Sequence, residues 1–387
     1  MTGSGRVVVV GAGVAGGRTC VALREAGFGG DIVLVGAEQH PPYDRPPLSK
    51  AALLSGGDTT FGYDFDALDV KVRWGEQAES LDLAERLVTT SRGGLFYDVL
   101  VAATGAHPVR LPGTGDQNLL RTRDDADRLR HKLEPGARVV IVGAGWIGAE
   151  VATAALARGC TVTCLEGAET PLAVQLGHEV ASRFLPWWAA ADLRCGVQVR
   201  EVTPDGVVLP DGSSIAADVV VTGVGVRPAT QWLTGSGLEL DRGVLVDCDR
   251  RTSDAHVYAV GDIASRWSPR YQSRVVGGHW DEAIHGPTAA AAAIVGAPKG
   301  IDDVPYFWSD QFGRKIQYVG QHSPDDHLVL RTSDDPAKWG AAWVGPDGVL
   351  RAHLSVGAPR AMANARAAID QARRVDVESI RSLTSVM

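Results

Sequence analysis

Residues 7 to 16 read Val-Val-Val-Val-Gly-Ala-Gly-Val-Ala-Gly. Four consecutive β-branched residues predict a short strand buried on both faces, as in a parallel sheet. The strand breaks into Gly11-x-Gly13-x-x-Gly16, ahead of a helix expected over residues 18–26. In this pattern the first glycine takes the tight turn and the second admits a pyrophosphate to the backbone. The third lets the helix pack close to the strand. The helix start offers unpaired N–H groups and the positive end of its dipole to phosphate. Gly11, Gly13, Val14, Ala15 and Gly16 are therefore candidate dinucleotide contacts. An unliganded glycine turn is the plainer alternative.

The chain has 387 residues, long enough for two or three domains. A net charge of -8 argues against nucleic acid as a partner, because neutralising phosphates needs a basic surface. No apolar run is long enough for a membrane helix, and the first strand begins almost at residue 1, so a cytoplasmic location is expected. The five cysteines, Cys20, Cys160, Cys164, Cys195 and Cys248, form neither a CxxC pair nor an even disulfide framework. Cys160 and Cys164 read as small buried apolar groups. The histidines show no metal-ligand spacing, and no metal is expected.

A second buried strand, residues 31–35, is followed by Gly36-Ala37-Glu38. A ribose calls for a carboxylate near this strand end, and Glu38 is the candidate, displaced by the intervening glycine. Next comes Tyr43-Asp44-Arg45-Pro46-Pro47-Leu48-Ser49-Lys50. Its prolines stiffen a loop, and Arg45 and Lys50 supply fixed positive charge suited to a diphosphate or a reduced anionic flavin. This run resembles the FAD loop of the ferredoxin, rubredoxin and putidaredoxin reductases, within the pyridine nucleotide–disulfide oxidoreductase superfamily. The resemblance extends over nearly the whole chain. It implies a backbone contact to adenine near Ala78, a second FAD signature at Ala-Ala-Thr-Gly containing Thr104, and a further FAD contact from Arg121.

A second dinucleotide unit begins with a strand at residues 138–142. Gly143-x-Gly145-x-x-Gly148 follows, then a helix expected over 147–157 and a strand at 161–165 ending in Glu166. Gly143, Gly145, Ile147 and Gly148 are its candidate contacts. Glu166 would accept from a ribose 2′-hydroxyl and repel a 2′-phosphate, which favours NADH over NADPH. Thr170 and Val174 stand where members of the resembling family often carry arginine. Glu150 is expected in the first turn of the second helix, where it could simply complement the dipole. The resemblance instead implies that it pairs with Lys50 beside the flavin. It also implies that Gly225 lies near the nicotinamide, Asp262 at the flavin's ribitol, Trp280 over its pyrimidine end and Trp308 at its exposed side. Gly278 and His285 depart from the family's acid and glutamine at the flavin rim, next to His279.

Two glycine loops imply two dinucleotides: a bound flavin and an exchanging nicotinamide that delivers a hydride to it. The expected fold is α/β, with two Rossmann-like domains and a C-terminal α+β domain. The boundaries are 1–110 with 233–303 for FAD, 111–232 for NAD(H) and 304–387 for the last. The resemblance implies an FAD-dependent NADH:ferredoxin oxidoreductase that passes electrons singly to an iron–sulfur ferredoxin serving a cytochrome P450 or another oxygenase. Residues 39–60 contain no cysteine, so the active pair of the disulfide reductases is missing. A flavoenzyme acting on a quinone or biosynthetic intermediate is the second reading, and a redox-sensing flavoprotein the third. Residues 250–275 and 360–374 each carry a local excess of three positive charges, and either could receive an acidic ferredoxin.

Overall fold

The computed structural model describes residues 5–276 and 280–382; Gly278 and His279 lie outside the described residues. Two compact units emerge. One comprises Met1–Asp44, Thr60–His107 and Arg227–Phe307, and the other Arg45–Thr59, Pro108–Val226 and Trp308–Met387.

The first unit is built on a five-stranded parallel sheet. Its order is Val257–Ala259, Val99–Ala102, Arg6–Val10, Asp31–Gly36 and Val70–Trp74. Arg6–Val10 is central, which explains its valines. Val7 and Val9 enter one hydrophobic core while Val8 and Val10 enter the other. The following helix runs Val14–Glu25, starting four residues before the expected position. Its first turn carries Gly16 and Gly17, whose low intrinsic propensity hides the start from a sequence reading. Both are buried, and tertiary packing overrides propensity. Helix Trp280–Ile294 packs on the same side of this unit.

The second unit repeats the design with a four-stranded parallel sheet: Asp192–Cys195, Thr161–Glu166, Arg138–Val142 and Val219–Thr222. A three-stranded antiparallel sheet, Glu201–Thr203, Gly206–Val208 and Ser214–Ala216, follows Asp192–Cys195 along the chain of this unit. The C-terminal portion is a five-stranded sheet, in the order Tyr306–Gln311, Arg314–Gly320, Leu350–Val356, Trp339–Val344 and His327–Thr332. Helix Pro359–Asp370 packs against it. Aromatic contacts tie it to the rest of its unit: Trp188 meets Phe312 edge-on at 5.0 Å, and Phe184 meets Trp339 at 5.5 Å. Among the described residues, no helix is long and apolar enough to cross a membrane, and no metal-ligand cluster occurs.

Candidate functional site

The two glycine loops have closely similar geometry. Gly11 and Gly143 adopt φ of 109° and 101°, a region that L side chains rarely enter. A Cβ at Gly16 would lie 1.8 Å from the Gly11 carbonyl oxygen, and one at Gly148 would lie 1.9 Å from that of Gly143. These glycines let helix and strand approach. Gly145 is different: a Cβ there would meet nothing within 4 Å. Its side of the loop is open, as the approach of a pyrophosphate requires.

The helix starts point the same way. Gly13 and Gly145 are the N-caps, neither helix has a side-chain cap, and neither has an acid in its first turn. By contrast, helix Arg123–Lys132 is closed by a full capping box from Thr122 and Asp125. Val14 and Ala15, and Ile147 on the second loop, sit in these uncapped first turns, so their N–H groups remain available to an anion. Both loops therefore fit a dinucleotide.

Glu166 ends its strand with each carboxylate oxygen engaged. Oε2 accepts from the Ala144 N–H at 2.7 Å, and Oε1 from Ala168 at 2.9 Å. The first bond ties the acid to the glycine loop itself. Each oxygen keeps acceptor capacity for a sugar hydroxyl. In the first unit the strand closes on Gly36, where a Cβ would stand 2.5 Å from the Ala12 Cβ. No acidic side chain fits there, so Glu38 is the nearby acid, and Tyr43 donates to its Oε2 at 2.6 Å. Thr170 is buried and Val174 is 87% exposed.

Other expected positions in the first unit are tied down by hydrogen bonds. The Thr104 hydroxyl donates to the Ala229 carbonyl at 3.0 Å and accepts from the Trp232 indole at 3.3 Å. The Trp280 indole donates to Asp44 Oδ1 at 2.7 Å, which fixes the ring. Asp262 lies on the turn Gly261–Ile263, and Ala78 begins the edge strand Ala78–Asp82. In the second unit the Arg45 guanidinium donates to the Arg121 carbonyl, which brings two arginines of the expected anion site together. Gly225 has φ of 115° with open space on its Cβ side, and Trp308 is partly exposed.

Lys50 and Glu150 form an ion pair, Nζ to Oε2 at 2.9 Å, with the Glu150 side chain only 3% exposed. Helix Trp146–Ala157 starts one residue earlier than expected, which puts Glu150 beyond its first turn. Dipole complementation fades within that turn, so the pair is the better account of the buried acid. Two partners escaped the sequence reading. The Ser49 hydroxyl donates to Glu150 Oε2, and the Ser309 hydroxyl donates to Oε1 at 2.5 Å. Gln311 Nε2 in turn donates to Ser309 at 3.0 Å. Sequence offers only one signal for Ser309, a polar residue that directly follows three aromatics in its strand. Lys50 also donates to the Pro46 carbonyl at 3.1 Å. That leaves one of its three N–H donors without a partner among the described residues.

The basic run at 250–275 shows less charge at the surface than its sequence count implies, because Arg250 and Arg266 are 0% and 2% exposed. Arg250 binds both Glu282 oxygens, at 2.7 and 3.0 Å, and Asp303 at 3.1 Å. Arg266 is paired with Asp302. The acids lie beyond the end of the arginine run, so a charge count over the run itself could not see them. In the other run, Arg360, Arg373 and Arg374 are exposed. All five thiols are unbridged, with Cys20, Cys160 and Cys164 buried. Burial pushes the Cys20 thiol up to about 12, which makes it unreactive.

Comparison with known proteins agrees with this geometry. Residues 5–287 match the family described as pyridine nucleotide-disulphide oxidoreductase, and residues 306–384 match the reductase C-terminal family. The chain is 34% identical to a probable ferredoxin reductase of Castellaniella defragrans, over 93% of this chain and 92% of that one. It is 33% identical to the anthranilate 1,2-dioxygenase system ferredoxin–NAD(+) reductase component of Burkholderia cepacia, over 97% of each. The crystal structure of Fdr9 superposes with a TM-score of 0.96 at 52% identity, covering 100% of this chain and 99% of that one.

Proposed function

The chain belongs to the pyridine nucleotide-disulphide oxidoreductase family, and we propose that it is an NADH-dependent FAD reductase that hands electrons singly to an iron–sulfur ferredoxin. As a member of that family it binds FAD and NAD(H), and it is an oxidoreductase. The flavin, when bound, accepts a hydride as two electrons and can release them one at a time. The observation that carries the reading is the duplicated cradle. Two glycine loops open uncapped helix starts to phosphate, and no cysteine lies in residues 39–60 to divert electrons to a disulfide.

In this reading the Gly11 loop, Glu38, Ala78, Thr104, Asp262 and Trp280 serve FAD, as do Arg45, Lys50, Arg121 and Trp308. The Gly143 loop, Glu166 and Gly225 serve NADH. The functional modules are 1–110 with 233–303, 111–232, and 304–387. The Glu166 carboxylate, held against the loop, selects the unphosphorylated ribose. The downstream user is an oxygenase of the cytochrome P450 or dioxygenase kind, and the place of action is the cytoplasm. The exposed Arg360, Arg373 and Arg374 offer an acidic ferredoxin a basic surface.

The test is NADH-driven cytochrome c reduction by the flavin-loaded protein, with and without a [2Fe–2S] ferredoxin. Turnover that depends on ferredoxin, with NADPH much poorer, is expected. It should also slow steeply as salt is raised from low to physiological strength. Equal turnover of a quinone without any carrier would refute the reading, and ferredoxin rates flat in salt would remove the basic docking surface.

A further inference from the structure

We propose that Ser309 and Ser49 are positioning residues that act through Glu150 to hold the Lys50 ammonium in its working orientation. The inference rests on the reading that Lys50 serves the flavin. Glu150 is a buried acid on helix Trp146–Ala157, and it receives three donors from two separate stretches of chain. Lys50 and Ser49 reach Oε2 from one loop, and Ser309 reaches Oε1 from the strand Tyr306–Gln311.

The division between the oxygens matters. Oε2 is shared by the lysine and a hydroxyl, whereas Ser309 is the only partner of Oε1 among the described residues. Ser309 therefore sets the rotation of the carboxylate plane, and that plane aims Oε2 at Lys50. Ser309 is itself 0% exposed and is oriented by Gln311 Nε2, so its hydroxyl proton is directed at the acid. The chain of donors runs Gln311 to Ser309 to Glu150, and the ammonium closes it from the far side. With Glu150 and Pro46 holding two of its donors, the lysine can present only the third to a ligand. Buried networks of this kind act as a unit, so losing one member is felt at the other end.

A merely structural role for the serines would lower stability and leave the flavin's surroundings unchanged. The proposal predicts more. In Ser309→Ala the limiting rate of flavin reduction by NADH, measured by stopped flow, should fall about tenfold, with the Kd for NADH within about twofold of wild type. The visible absorption bands of the bound flavin should shift as well. Ser309→Thr, which keeps the hydroxyl, should restore both. In a Lys50→Ala background, adding Ser309→Ala should produce no further change in rate or spectrum, because the effect passes through the lysine. If Ser309→Ala does not fold, Ser49→Ala carries the same predictions from the Oε2 side. A wild-type rate and spectrum in the folded serine variant overturn the proposal, as do fully additive effects with Lys50→Ala. If Lys50→Ala alone leaves reduction unchanged, the assignment of Lys50 to the flavin fails, and the inference falls with it.

Discussion

Glu166→Gln is a nearly isosteric change with a consequence that follows from two hydrogen bonds. The carboxylate uses both oxygens as acceptors, from Ala144 N–H at 2.7 Å and Ala168 N–H at 2.9 Å. Glutamine has one carbonyl oxygen and one NH₂, so it can satisfy one of these donors and must turn hydrogens toward the other. A charge-assisted bond lost in this way costs about 1.5–3 kcal/mol, and partial exposure places the change near the lower figure. The side chain also gives up one acceptor for the ribose, which weakens NADH by about tenfold, or about 1.4 kcal/mol. The opposite effect applies to NADPH, because a negative charge facing its 2′-phosphate is gone. We expect kcat/KM with NADH to fall about tenfold while that with NADPH stays level or rises. The NADH:NADPH preference would then shrink by at least that factor. Steady-state reduction of a small artificial acceptor, with each nicotinamide varied, reads this directly. An unchanged preference ratio in a folded, flavin-loaded variant would refute the role of Glu166 in choosing the sugar.

Other perturbations follow from the same geometry. Gly16→Ala would put a Cβ 1.8 Å from the Gly11 carbonyl oxygen, so helix Val14–Glu25 must move off its strand. The purified variant should be colourless or markedly poor in flavin, and a full flavin complement by absorbance would contradict the packing argument. Arg250→Met removes the hydrogen-bonded partner of Glu282 and Asp303 and leaves Glu282 only the longer 3.8 Å pair with Arg266, a loss of about 3 kcal/mol. Denaturant unfolding should show it, whereas Arg360→Met, on an exposed side chain, should stay within about 0.5 kcal/mol. His353 is fully buried, and burial first, then the Arg331 charge, pull its pKa from 6.5 down to about 3. Between those values the unfolded chain holds a proton that the folded chain refuses. Stability from this group is thus complete above about pH 6.5 and declines as pH falls, by up to about 1.4 kcal/mol per unit. His353→Leu should flatten the acid limb of a Tm-against-pH curve, and an unaltered slope would count against it.

The parts legible in sequence were those whose physics is local. A buried strand, a glycine turn and a helix start lie within a few residues of one another. Their chemistry is set by backbone conformation, so Gly11, Gly16, Gly143 and Gly148 could be given roles before any fold was seen. The acid at the end of the next strand belongs to the same unit, which is why Glu166 was found as well. Tertiary structure decided what depends on residues distant in sequence. It showed that Gly36 is glycine because the Ala12 Cβ occupies the space beside it. It took Arg250 and Arg266 out of a basic run and buried them against Glu282, Asp302 and Asp303. And it brought Ser309 to Glu150 across 159 residues of chain. A buried charge needs partners wherever the fold can supply them, and no periodicity or spacing records where those partners come from.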